Sequence, residues 1–245
     1  MYKTGLYWIQ HDLRIHDNAA LLEASLNCEQ LICLYCFDPT WFRQSRLNAR
    51  SMGVLRRQFL NKALHDLGNE LKRRGQRLIV MTADPVSAIS VLIKNHHIDA
   101  VYRSHHVGVF ETRQWHHLKA DFPRTLFHSV WTHTLFRPEQ LPFSLNDLPA
   151  TFTEFKQRCE AIVIDKPVSM PTFLSSFPNH PVHFLPFYNT WANQMKSTAQ
   201  DARVPFFLHQ SPPLAHQILF QFDGSSQSGS LPEGLTIAAW ILVYQ

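Results

Sequence analysis

The residues best suited to chemistry gather at two places in this chain. The first is Tyr7-Trp8-Ile9-Gln10-His11-Asp12-Leu13-Arg14-Ile15-His16-Asp17-Asn18, a strand-like run that enters a polar turn and then a helix over Ala19 to Leu26. In a doubly wound sheet the carboxyl ends of the strands face the ligand crevice, so this loop stands where small molecules bind. The same residues also have a purely structural use. Asp17 or Asn18 can cap the helix, and Asp12 and Arg14 can pair to brace the loop. The second place is Ser104-His105-His106-Val107-Gly108-Val109-Phe110-Glu111, which offers two imidazoles and a carboxylate after a later strand. A metal site is one use for it. The other thirteen of the fifteen histidines are scattered, however, and no spacing among them fixes a ligand set.

Several other chemistries lack their signatures. No G-x-G-x-x-G follows the first strand and no G-x-x-x-x-G-K-[ST] occurs, so neither a dinucleotide fingerprint nor a Walker phosphate loop is available. Cys33-x-x-Cys36 lies inside Leu31 to Phe37, where an odd offset sends the two side chains to opposite faces of a strand. With Cys28 and Cys159 they read as free thiols of a reducing cytoplasm. The net charge of +4 comes from Lys and Arg spread along the chain, which argues for a solvated surface without direct DNA contact. The start, Met1 to Lys3, passes directly into Gly5-Leu6-Tyr7-Trp8-Ile9, leaving no room for a secretory leader. The longest apolar stretch, Leu235 to Tyr244, is far short of the roughly 20 residues a bilayer requires. A cytoplasmic, membrane-free protein is expected.

The elements that must position these loops alternate. Strand-like runs at Leu6 to Gln10, Leu31 to Phe37, Leu78 to Thr82, Ala100 to Arg103 and Leu126 to Val130 are separated mostly by helical patterns. The clearest helix spans Ser51 to Arg74, with Met52, Leu55, Phe59, Ala63, Leu67 and Leu71 recurring every three or four residues and Gly75 as its stop. Asp84-Pro85 reads as an N-cap followed by proline at the first helical position. The expected fold is a Rossmann-like, doubly wound α/β domain over 1–168, a five-stranded parallel sheet with helices on both faces. Residues 169–245 form a Pro-rich extended tail, in which Gly224 to Ser230 is a flexible tether and the many aromatics imply docking on a surface.

Trp8 to Asn18 resembles the opening strand and loop of the photolyase and cryptochrome family. Phe37-Asp38-Pro39, the long helix near Arg50-Ser51, and Asp84-Pro85 follow in the family's order. Thr134-Leu135-Phe136, Leu141-Pro142-Phe143 and Leu148-Pro149-Ala150-Thr151-Phe152-Thr153-Glu154-Phe155-Lys156 are similar to the end of the N-terminal domain in DASH cryptochromes. Together these anchors cover residues 5 to 165.

The resemblance implies a domain that holds a folate (methenyltetrahydrofolate) or deazaflavin antenna beside a helical domain carrying FAD, whose photoreduced form repairs pyrimidine dimers. The antenna pocket is expected from the loops His11-Asp12-Leu13-Arg14, Asp38-Pro39 and His105-His106 to Glu111. DASH members carry a Lys-Glu pair where His105-His106 stand here, so Glu111 takes the folate-binding role only if the loop is shifted. The sequence has no flavin pocket, and FAD is not expected in this chain. Three readings stay open: an accessory or vestigial antenna-type domain, the N-terminal part of a blue-light DNA-repair photolyase whose flavin half is separate, and a small-ligand or nucleotide-binding enzyme on the same fold. A flavin-domain partner, or self-association through residues 235–244, is expected.

Overall fold

The computed structural model describes residues 1–43 and 52–178. Five parallel strands, β1 (Tyr2–Ile9), β2 (Cys28–Phe37), β3 (Leu78–Thr82), β4 (Ala100–Ser104) and β5 (Leu126–Val130), form one sheet in the order β3-β2-β1-β4-β5. Apolar, β-branched and aromatic residues dominate β1 to β4, as strands covered on both faces require. The connections reverse direction between β1 and β4, which makes the carboxyl ends of those two strands the switch point of the sheet.

Strand alternation divides the core in two. Tyr7, Ile9, Leu31, Cys33, Tyr35 and Tyr102 pack with α1 (Ala19–Asn27) and α2 (Val54–Arg73) through Ala20, Leu21, Ala24, Leu64, Leu67 and Leu71. Leu6, Trp8, Ile32, Leu34, Cys36 and Val101 face the other way, onto α3 (Pro85–His96) and α4 (Val109–Asp121). Helices therefore cover both faces, and Cys33 and Cys36 sit in opposite cores as their odd spacing predicts. All four cysteines are free and buried, and burial raises the Cys33 and Cys36 thiols well above their ordinary range.

Local signals place the boundaries. The Asn18 carboxamide accepts from the Leu21 amide to open α1, and Asp84 accepts from the Ser87 amide to open α3 with Pro85 behind it. The long helix starts at Val54 after a Gly53 cap, three residues beyond the expected Ser51. Gly75, with φ of 77°, supplies its left-handed stop. After β5 the chain makes two short 3-10 turns and α5 (Phe152–Cys159).

The chain remains on the domain past residue 168. Ser176 accepts from the Leu31 amide at 2.9 Å, the Ser175 hydroxyl donates to the Ser25 and Cys28 carbonyls at 2.6 and 2.8 Å, and Leu174 is buried in the core. The rest of the expected tail, including the Gly224 to Ser230 tether and the 235–244 segment, lies outside the described residues. Among the described residues no helix is long and apolar enough to cross a membrane.

Candidate functional site at the sheet switch point

The loop after β1 is held by its own side chains. Asp12 is buried, and one of its carboxylate oxygens accepts from the Tyr7 hydroxyl at 2.9 Å and from the Ser104 hydroxyl at the end of β4. The Asn18 carboxamide donates to the Tyr7 hydroxyl at 2.9 Å and to the Arg14 carbonyl at 2.9 Å. Arg14 donates from Nε and Nη2 to the Asp17 carbonyl at 3.2 and 3.1 Å, and from Nη2 to the Thr132 carbonyl at 3.4 Å. Asp12 and Arg14 thus do not brace the loop by pairing with each other. Each finds a partner that sequence distance hides, Ser104 and Thr132, and Asp12 Oδ1 is left buried without a partner among the described residues. Leu13 is half-buried against the core.

Asp38 and Pro39 also serve the framework. One Asp38 carboxylate oxygen caps the 3-10 turn Pro39–Phe42, accepting from the Thr40 amide at 2.8 Å and the Thr40 hydroxyl at 2.6 Å. The other accepts from Gln114 on α4 at 3.3 Å, which draws the β2 loop to the α4 side of the rim.

The segment after β4 is arranged differently. Successive residues leave a strand on opposite sides, and this parts the two histidines. His105 stacks on Trp131 at 4.0 Å between ring centroids and its Nδ1 meets the Ser129 hydroxyl at 3.3 Å. His106 is buried and stacks on His11 at 4.5 Å. Glu111 lies in the first turn of α4, where a carboxylate complements the helix dipole, with Oε2 3.6 Å from His106 Nδ1. Gly108 makes this approach possible, since a Cβ there would overlap Glu111 Oε2 and come 2.8 Å from His106 Nδ1.

Two residues outside the sequence-derived set complete the arrangement. Arg103 is fully buried on β4, lies over the Trp115 ring at 4.3 Å and donates to the Glu111 carbonyl at 2.9 Å, fixing the first turn of α4. Burial lowers its pKa to about 10, so it stays cationic at neutral pH. His133, just beyond β5, has its ring 5.8 Å from that of His106 and 6.3 Å from that of His11. An arginine inside the apolar run Ala100 to Arg103 was a sequence signal for the first. A sheet whose last strand borders β4 was the only signal for the second. Burial, followed by the positive charge of its neighbours, lowers the pKa of His106, and burial chiefly lowers those of His11 and His133 as well.

The rim thus carries a half-buried carboxylate and three imidazoles whose burial disfavours protonation at the switch point. Residues 5–172 match the DNA photolyase family, and the chain belongs to it. It is 38% identical over 179 residues to a cryptochrome DASH of Idiomarina loihiensis, covering 73% of this chain and 40% of the relative. A cryptochrome DASH of Vibrio parahaemolyticus is 34% identical over 177 residues, with 72% and 40% covered. The fold matches the crystal structure of a Synechocystis sp. PCC6803 cryptochrome with a TM-score of 0.70 at 28% identity, over 75% of this chain and 39% of that one. The domain is DASH-like, and the chain spans about two fifths of the length of these relatives.

Proposed function

We propose that this domain is the antenna-type module of a DASH-like cryptochrome, in which Glu111 anchors a folate such as methenyltetrahydrofolate at the rim between β1 and β4. The observation that carries this reading is the state of Glu111. Asp38 and Arg14 are bound by the framework and Asp12 is buried behind Tyr7 and Ser104, whereas the Glu111 side chain keeps 25% of its surface exposed at the switch point. Its carboxylate suits the N–H donors of a pterin ring, which favours a folate over a deazaflavin. The bound group would supply near-ultraviolet absorption and pass the excitation on.

The chain's own residues hold and aim that group. Gly108 leaves room for the carboxylate, and Arg103 fixes the turn that carries it. Beside the site Val107, Val109 and Phe110 stand 62%, 68% and 74% exposed, apolar surface suited to docking a flavin-holding helical domain. In this reading FAD photochemistry and any repair of DNA belong to that partner domain, and the protein works in the cytoplasm.

Titrating the purified protein with methenyltetrahydrofolate, followed by its near-ultraviolet absorbance, tests the assignment. Glu111→Gln should weaken binding by about 1.5–3 kcal/mol, the range for a charge-assisted hydrogen bond. Equal titration of both proteins, or none by either, would refute it.

A further inference from the structure

The rim has more ligating capacity than a pterin uses. His11, His106 and Glu111 each offer one ligand atom, and these atoms all lie within 4.8 Å of one another. They come from three separate positions: the loop after β1, the segment after β4 and the first turn of α4. A third imidazole adjoins them. His133 Nε2 is buried with no hydrogen-bond partner among the described residues, although a buried ring nitrogen normally has one.

We propose that His11, His106 and Glu111, completed by His133, form a binding site for a divalent transition cation, with zinc as the cation it takes. Three imidazoles and one carboxylate are a donor set that suits zinc and its borderline neighbours, whereas magnesium and calcium prefer oxygen alone. The single carboxylate leaves a bound zinc site at net charge +1.

Two rearrangements accompany binding. Ligand atoms around a four-coordinate zinc stand about 3.3 Å apart at bond lengths of about 2.0–2.1 Å, so the present separations must shorten. His106 Nδ1 now accepts the Gly108 amide at 2.9 Å, and the cation must displace that hydrogen bond or take the ring after it turns. His11, at the solvent edge, and Glu111 have side chains that can turn toward a bound cation, and His133 must approach as well, its ring lying 5.8 Å from that of His106. The inference does not rest on the folate assignment, because zinc is titrated without folate and the imidazoles, not only Glu111, are tested.

The whole protein is stripped with a chelator and titrated with zinc chloride by calorimetry, then with cobalt(II) as a spectroscopic probe. One equivalent of zinc should bind, and cobalt should develop the intense visible bands of a four-coordinate site. His11→Gln, His133→Gln and Glu111→Gln should each weaken zinc by at least about tenfold, the smallest loss seen when even an outer partner is removed. His105→Gln, whose ring faces Trp131, should leave affinity unchanged. His11 sits at the rim, so thermal melting can verify that His11→Gln remains folded. No stoichiometric zinc, or equal weakening by His105→Gln and His11→Gln, would overturn the proposal.

Discussion

The loop after β1 and the segment after β4 lie side by side at the same rim, yet they use polar residues in opposite ways. In the first, Asp12, Arg14 and Asn18 turn inward and bind the Tyr7 hydroxyl, the Ser104 hydroxyl and backbone carbonyls, with Asp12 Oδ1 the one carboxylate oxygen there left without a partner among the described residues. In the second, His106 and Glu111 meet only at 3.6 Å, and His133 Nε2 has no partner among the described residues. Polar side chains at a crevice can therefore serve the framework as well as a ligand. Those that satisfy each other build the rim, and those left incompletely satisfied are available to whatever binds there.

Removing the keystone of the β1 loop should give the largest effect. Asp12→Ala leaves the buried Ser104 hydroxyl without its acceptor and removes one from Tyr7, each unmade bond costing about 1–3 kcal/mol. A loss of about 2–4 kcal/mol in urea unfolding is expected, with Asp12→Asn less severe because one acceptor oxygen remains. If Asp12→Ala kept its stability but lost a ligand, the division between the two loops would fail.

Gly108→Ala probes the other side. The backbone at Gly108, φ −63° and ψ 138°, is open to any residue, so no conformational strain arises. The added methyl instead collides with Glu111 Oε2 and His106 Nδ1. Glu111 is flexible and can swing away, so thermal unfolding should record only about 1 kcal/mol of destabilisation. Folate binding, measured by absorbance, should fall as far as in Glu111→Gln. Retained binding would show that the carboxylate does not act from its present position.

What the sequence revealed, and what it hid, follows the range of the interactions involved. Five strands, helices on both faces, the Asn18 and Asp84 caps, the Gly75 stop and the opposite facing of Cys33 and Cys36 were all legible, because each depends on alternation or on residues a few positions apart. The Asp12 to Ser104 bond spans 92 residues, and its place was filled in the sequence reading by a local Asp12 to Arg14 pair that the fold does not make. His105 and His106 looked like one pair, and strand geometry separates them. His133 enters only through the order of the strands. The docking of Leu174 to Ser176 on α1 and β2 was equally invisible, as serine hydroxyls that reach distant carbonyls leave no periodic trace.

The smallest effect is expected from Arg14→Lys, which separates shape from charge within the β1 loop. The Arg14 guanidinium directs two N–H groups at the Asp17 carbonyl and extends one of them to the Thr132 carbonyl, so it joins the β1 loop to the segment that carries His133. Its ion pair with the Asp17 carboxylate is long, at 4.0 Å, and half open to solvent, which makes the charge a minor contributor. Lysine keeps that charge but is a single point donor and cannot reproduce the fork. Urea unfolding should therefore register a loss of about 0.5–1.5 kcal/mol, one net hydrogen bond's worth. Folate titration should be unchanged, because Arg14 spends its N–H groups on backbone carbonyls. The opposite pattern, wild-type stability with weakened folate, would assign Arg14 to the bound molecule and place both loops in the same functional class.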